Sequence, residues 1–92
     1  MLPTISILIS TIGDRINQVA SILLPPISDV DYVISLQSDQ PIRLPGSLKK
    51  RDDVSIFRIK GKGLSANRNN ALSHATGDLL VLADDDVTLK AE

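Results

Sequence analysis

Four apolar runs, two helical patterns and one long polar interval make up the chain. Ile5-Ser6-Ile7-Leu8-Ile9-Ser10-Thr11 is β-branched and mostly apolar, as expected of a central strand in a parallel sheet. Thr11 to Asp14 reads as a turn, with Asp14 placed to cap the helix that follows. In that helix Ile16, Val19, Ala20 and Leu23 recur at i, i+3, i+4 and i+7 and form one apolar face. Pro25-Pro26 stops it, because proline lacks the N–H donor and disfavours helix in the residue before it. Tyr32 to Gln37 is the second strand and Val54 to Ile59 the third. Between them about sixteen residues, Ser38 to Asp53, show no element, a length that points to a functional or mobile loop. Lys60-Gly61-Lys62-Gly63 reads as a flexible connection. A helix is predicted from an N-cap at Ser65 to about Ala75, with Gly77 as its C′ residue. Leu79 to Ala83 is the fourth strand and reads as fully buried.

The order β-α-β-loop-β-α-β predicts an α/β fold. It is a Rossmann-like, three-layer arrangement around a mainly parallel four-stranded sheet with flanking helices. Right-handed crossovers give the strand order 3-2-1-4. That order sets Thr11 to Asp14 beside the residues that follow strand four, at the topological switch point where open α/β sheets bind ligands. Residues 1–92 are expected to form one domain or part of one.

Composition narrows the chemistry. A chain of 92 residues buries only about 60% of its unfolded surface. Cysteine is absent, which excludes disulfides, zinc–thiolate sites and thiol catalysis. His74 is the single histidine, in a helix far from any activated serine. Tyr32 and Phe57 are the only aromatics, so the core is aliphatic and no aromatic platform for nucleic acid is expected. No apolar run approaches the roughly 20 residues of a membrane span, and no signal peptide is visible. The expected setting is cytoplasmic, membrane-peripheral at most in a full-length enzyme. From Arg43 to Arg68 eight basic residues face only Asp52 and Asp53, while the remainder is acidic. Such a division suits a metal-bound phosphate ligand, although Lys49, Lys50 and Arg51 are read as solubilising a loop.

The acidic end carries the candidate chemistry. Asp84-Asp85-Asp86 follows an apolar strand with no base among them. Carboxylates this close repel one another unless a cation or positive donor lies between them; the bland reading is a solvated turn. Arg68 lies in the first turn of a helix that has no acidic residue there, against the usual macrodipole preference. An anion at that helix start would account for it.

Other motifs are weaker. Gly61-Lys62-Gly63 with Ala66 gives an incomplete dinucleotide fingerprint, and no Walker A pattern is present. Asp84-x-Asp86-x-Thr88 fits the D-x-D-x-T of haloacid-dehalogenase-like phosphotransferases, in which the first Asp attacks phosphorus. In those enzymes the motif follows the first strand, whereas here three strands precede it.

Three stretches together resemble family 2 glycosyltransferases of the GT-A fold. They are Ile5 to Thr11, Gly63-Leu64-Ser65-Ala66-Asn67-Arg68-Asn69-Asn70-Ala71-Leu72, and Ala75-Thr76-Gly77-Asp78 running through Leu79-Leu80-Val81-Leu82-Ala83 into Asp84-Asp85-Asp86. The resemblance spans the chain as the amino-terminal, nucleotide-sugar-binding half of such an enzyme. It implies that Thr11 lies against the nucleoside, that Arg68 reaches the base or diphosphate, and that Asp84 or Asp85 holds the ribose. Asp86, with Asp84, would ligate Mn²⁺ or Mg²⁺ bridging the diphosphate of a UDP- or GDP-type sugar donor. Asp39 is the nearest equivalent of the family's base-contacting acid, in Leu36-Gln37-Ser38-Asp39-Gln40, which departs from the D-x-x-S-x-D pattern. The family's acceptor half and catalytic base follow the D-x-D segment, so the chain is expected to be a fragment that does not transfer sugar alone and holds no catalytic residue. The rival readings are the phosphotransferase and a non-catalytic nucleotide-binding module that dimerises through its sheet edges.

Overall fold

The computed structural model describes residues 3–61 and 63–85. The elements follow in the order β1 (Ile5–Ile12), a 3-10 turn (Gly13–Arg15), α1 (Ile16–Ile22), β2 (Val30–Gln37), α2 (Gly46–Lys49), β3 (Val54–Ile59), α3 (Leu64–His74) and β4 (Leu79–Asp84). The strands form one sheet in the order 3-2-1-4, and every pairing is parallel. Ser10 pairs in register with both Ser35 and Asp84, so the carboxyl ends of β1, β2 and β4 lie together.

Each face of the sheet has its own core. On one, Ile7 and Ile9 align with Tyr32 and Ile34 and pack against Ile16 and Val19 of α1. Fully burying one such aliphatic side chain stabilises the fold by about 1.5–3 kcal/mol. Leu48 of α2 is buried in the same cluster, with Ile42 and Leu44 packed against it. The interval from Ser38 to Asp53, expected to lack structure, therefore contains a helical turn anchored by its apolar residues. Its end is fixed by Arg51, which donates twice to Asp53 (2.8 and 2.6 Å) and lies 5.4 Å from the Tyr32 ring centroid. The hydrogen bonds to Arg51 hold the Asp53 carboxyl below the usual carboxylate range, against the opposing effect of burial; the same bonds raise the Arg51 guanidinium.

The opposite face is built for close approach. Ser6, Ser10 and Ser35 are buried there among Leu8 and Val33, and α3 presents Asn67 and Ala71 to them. Small side chains let the helix come near, and its asparagines bond to the sheet. Ser35 donates to Asn67 Oδ1 (2.6 Å), and Asn70 Nδ2 donates to Ser35 Oγ (2.8 Å). At the far end of α3, His74 stacks flat on Phe57 with centroids 3.7 Å apart.

Several local expectations are corrected. Asp14 makes no side-chain cap; the chain enters α1 through the 3-10 turn, and the Asp14 carbonyl accepts from Asn17 Nδ2. Ser65 is not the N-cap of α3, because Gly63, at φ 113°, occupies that place. Gly77 is not a left-handed helix terminator. It is the point where the chain crosses β1: its N–H donates to Ser6 Oγ (2.9 Å), and a Cβ there would lie 2.7 Å from the Ser6 backbone nitrogen. Asp78 then clips β4 to the start of β1, accepting from Thr4 N–H (3.1 Å) while its own N–H donates to Thr4 Oγ1 (3.1 Å).

The largest correction concerns β4. Leu79, Leu80, Val81 and Leu82 are 53, 45, 45 and 57% exposed, not buried. Among the described residues the order 3-2-1-4 leaves β4 at an edge of the sheet, and α1 and α3 pack over the strands beside it.

Candidate functional site

The first requirement of a site at the switch point is that the ends of β1 and β4 meet, and they do. Thr11, 1% exposed, donates its hydroxyl to Asp85 Oδ2 at 2.8 Å. Arg15, at the end of the 3-10 turn, donates to Asp85 Oδ1 at 2.5 Å. Both oxygens of this buried carboxylate are thus engaged, one by a neutral and one by a charged donor. An unpaired buried carboxylate would be costly, so these two contacts are what permit its burial.

Asp84, the last residue of β4, is different. Its side chain is 49% exposed and meets Arg68 at 3.3 Å. Arg68 is the fifth residue of α3, so it stands in the second turn, not the first as the sequence reading had it. Its guanidinium nevertheless lies at the carboxyl ends of the strands.

These residues border a cleft of about 220 Å³ lined by Ser10, Thr11, Arg15, Asn67, Asp84 and Asp85 among others. A smaller one of about 120 Å³ adjoins it between Arg68, Ser10 and Asp84. Asn67 forms part of the wall and part of the frame: it is buried, accepts from Ser35 and donates through Nδ2 to the Thr11 carbonyl at 3.1 Å. One helical side chain therefore fixes α3 to the ends of β1 and β2.

Asp39 is not gathered with this group. It lines a separate cleft of about 370 Å³ with Gly13, Gln37, Ser38, Gln40 and Gly61, and its carboxylate accepts weakly from Gly61 N–H (3.5 Å). Ile12, 49% exposed, borders both clefts, so they adjoin along the ends of β1 and β2. Gln37 Nε2 donates to the Gly61 carbonyl, and its Oε1 is buried without a partner among the described residues. Asp86 and Thr88 lie outside the described residues.

Sequence reasoning missed Arg15 and Asn67. Arg15 is the only basic residue before Arg43, and it falls just after the loop expected to face the acidic triplet. Asn67, Asn70 and Ala71 lie at helical spacing, and the serines opposite them interrupt otherwise apolar strands.

Carboxylate oxygens are hard donors that suit Mg²⁺ or Mn²⁺. Among the described residues no group of three or more His, Cys, Asp or Glu side chains is gathered to enclose a metal. Magnesium is usually held by only one or two carboxylates together with substrate phosphates. Asp84 and Asp85 fit that partial donor set.

The parallel sheet in the order 3-2-1-4 with its flanking helices defines a Rossmann-like α/β domain, with a cleft and paired acidic and basic groups at the switch point. The sequence matches the family described as Glycosyl transferase family 2 over residues 19–92, and the chain belongs to that family. The phosphotransferase alternative gains no support from the match. Comparison with curated proteins and with solved structures returns no match for either. Among the described residues no helix is long and apolar enough to cross a membrane.

Proposed function

We propose that this chain binds the nucleoside diphosphate moiety of a sugar donor, together with a divalent cation, at the carboxyl ends of β1 and β4. The observation that carries the reading is the convergence of Thr11, Arg15, Arg68, Asp84 and Asp85 on two adjoining clefts that share Ser10 and Asp84 at the switch point. Asp84 would hold Mn²⁺ or Mg²⁺, with Asp86 as the second expected ligand. Bound there, the cation supplies Lewis-acid stabilisation of the diphosphate leaving group. Arg68 faces the phosphates and Thr11 the ribose, while Asp85, beside Asp84 in the cleft, completes the carboxylate set toward the cation. Asp39 contacts the base in the adjoining cleft. The reaction of the whole enzyme is glycosyl transfer from a UDP- or GDP-type donor. None of the residues described supplies a base for an acceptor hydroxyl, and this chain by itself is proposed to bind without turnover.

Calorimetric titration of UDP and GDP in the presence of Mn²⁺ tests the reading. Binding of one of them, lost in Asp84→Ala, is the expected result. Absence of heat with both at millimolar nucleotide and Mn²⁺ would sink the reading for this chain.

A further inference from the structure

Both carboxylates lining the cleft are paired with arginine, and the two arginines come from opposite sides. Arg15 reaches Asp85 from the turn after β1, and Arg68 reaches Asp84 from α3. Their charges cancel in pairs. The Asp85 side chain is only 6% exposed, whereas Arg15 and Arg68 keep 48 and 44% of their side chains in solvent. The acids are fixed by the end of β4, and the bases sit on long stems free to re-aim.

A cation brought to Asp85 Oδ1 meets a competitor, because Arg15 already occupies that oxygen at 2.5 Å. Oδ2 offers no easier approach, since Thr11 donates to it. Once displaced, Arg15 remains at the wall of the cleft. Its planar fork of N–H donors suits phosphate oxygens.

We propose that Arg15 exchanges partners during binding: a divalent cation takes Asp85 from it, and the freed guanidinium takes the diphosphate. This rests on the nucleotide-binding reading above and adds a mechanism to it. A cation alone expels Arg15 with no anion to receive it. A nucleotide alone draws Arg15 away and leaves a buried carboxylate with a single neutral partner. Together, each removes the other's penalty, so cation and nucleotide reinforce one another, and the coupling is reciprocal.

The test is calorimetry on the 92-residue chain, wild type and Arg15→Gln, with Mn²⁺ alone, UDP or GDP alone, and both together. In the wild type, Mn²⁺ should tighten the nucleotide by about tenfold or more, and the nucleotide should tighten Mn²⁺ by the same factor. Arg15→Gln should bind Mn²⁺ alone more tightly than wild type, bind the nucleotide with Mn²⁺ more weakly, and lose most of the coupling. Unchanged Mn²⁺ affinity and unchanged coupling in Arg15→Gln overturn the partner exchange and leave the nucleotide site standing. Wild-type nucleotide binding indifferent to Mn²⁺ overturns it equally. If the wild type binds neither nucleotide under any condition, both readings fall. Should Arg15→Gln not fold, Arg15→Lys carries the test, since it keeps the charge without the fork: reduced coupling supports the exchange, and full coupling overturns it.

Discussion

Thr11 and Asp85 are 74 residues apart in sequence and joined by a 2.8 Å hydrogen bond between buried groups. It closes the carboxyl ends of β1 and β4 around the cleft. Thr11→Val keeps the shape and removes the donor, so a buried carboxylate oxygen loses its partner. The expected cost is about 1–3 kcal/mol in urea unfolding, with Thr11→Ser retaining most of the wild-type stability. Nucleotide affinity with Mn²⁺ should fall in Thr11→Val and hold in Thr11→Ser.

Asn67 tests the frame instead of the contact surface. Its amide bridges Ser35 Oγ and the Thr11 carbonyl. Asn67→Ala removes the side-chain donor to that carbonyl and the acceptor of the buried Ser35 hydroxyl, while Ser35 still accepts from Asn70. The variant should lose about 1–3 kcal/mol, seen as a lower urea midpoint with an unchanged denaturant slope. An unaltered midpoint would show that α3 does not depend on this bridge.

The sheet order was legible because strand periodicity and crossover handedness leave few arrangements. The Thr11–Asp85 junction followed from that order. The burial of β4 was misread for a physical reason: an apolar run reports what a strand can bury, not whether neighbours are present to bury it. Leu79 to Leu82 look like an interior strand, and only the topology shows that β4 has one neighbour among the described residues. Arg15 and Asn67 escaped because their partners are remote in sequence, at Asp85 and at Ser35 and Thr11. The Thr76-Gly77-Asp78 portion of the family-like stretch proved legible in another sense. Gly77 and Asp78 seat β4 on β1 through Ser6 and Thr4, at the opposite end from the cleft.

Gly77→Ala is the direct probe of that seating. A Cβ there would lie 2.6 Å from Ser6 Oγ and 2.7 Å from the Ser6 backbone nitrogen, both too close. The serine can rotate but the backbone nitrogen cannot, so β4 must shift along β1. Overpacking of this sort costs about 1–3 kcal/mol. Because Asp84 ends β4 and Asp85 follows it directly, nucleotide affinity should fall as well, although Gly77 is remote from the ligand. The double variant Gly77→Ala with Ser6→Gly should recover only part of the stability if the backbone contact dominates.

Arg51 and Asp53 give a pH signature outside the cleft. The Asp53 carboxyl is held below its ordinary value, so the folded state binds its proton less readily than the unfolded state. The stabilisation is complete above the unfolded value of about 4 and is lost as pH falls through the lower folded value. Wild-type stability should therefore decline below about pH 4 more steeply than that of Asp53→Asn. Unfolding midpoints at a series of pH values measure this, and parallel curves would exclude the pair as a source of acid sensitivity.

The exposed edge of β4 predicts association. From Leu79 to Ala83 there is no charge and no proline, and two large aliphatics protrude on each face. The other edge, β3, carries Arg58 and is followed by Lys60, the kind of charge that discourages strand addition. An edge with free N–H and C=O groups and apolar side chains is a template for another strand, and a second copy of this chain supplies one. Leu82→Lys should keep the folding free energy within about 0.5 kcal/mol, because the side chain is already more exposed than buried. It should also shift sedimentation toward monomer at concentrations where the wild type associates. If the wild type sediments as a monomer throughout the accessible range, the β4 edge does not pair in this chain, and its apolar residues need another explanation.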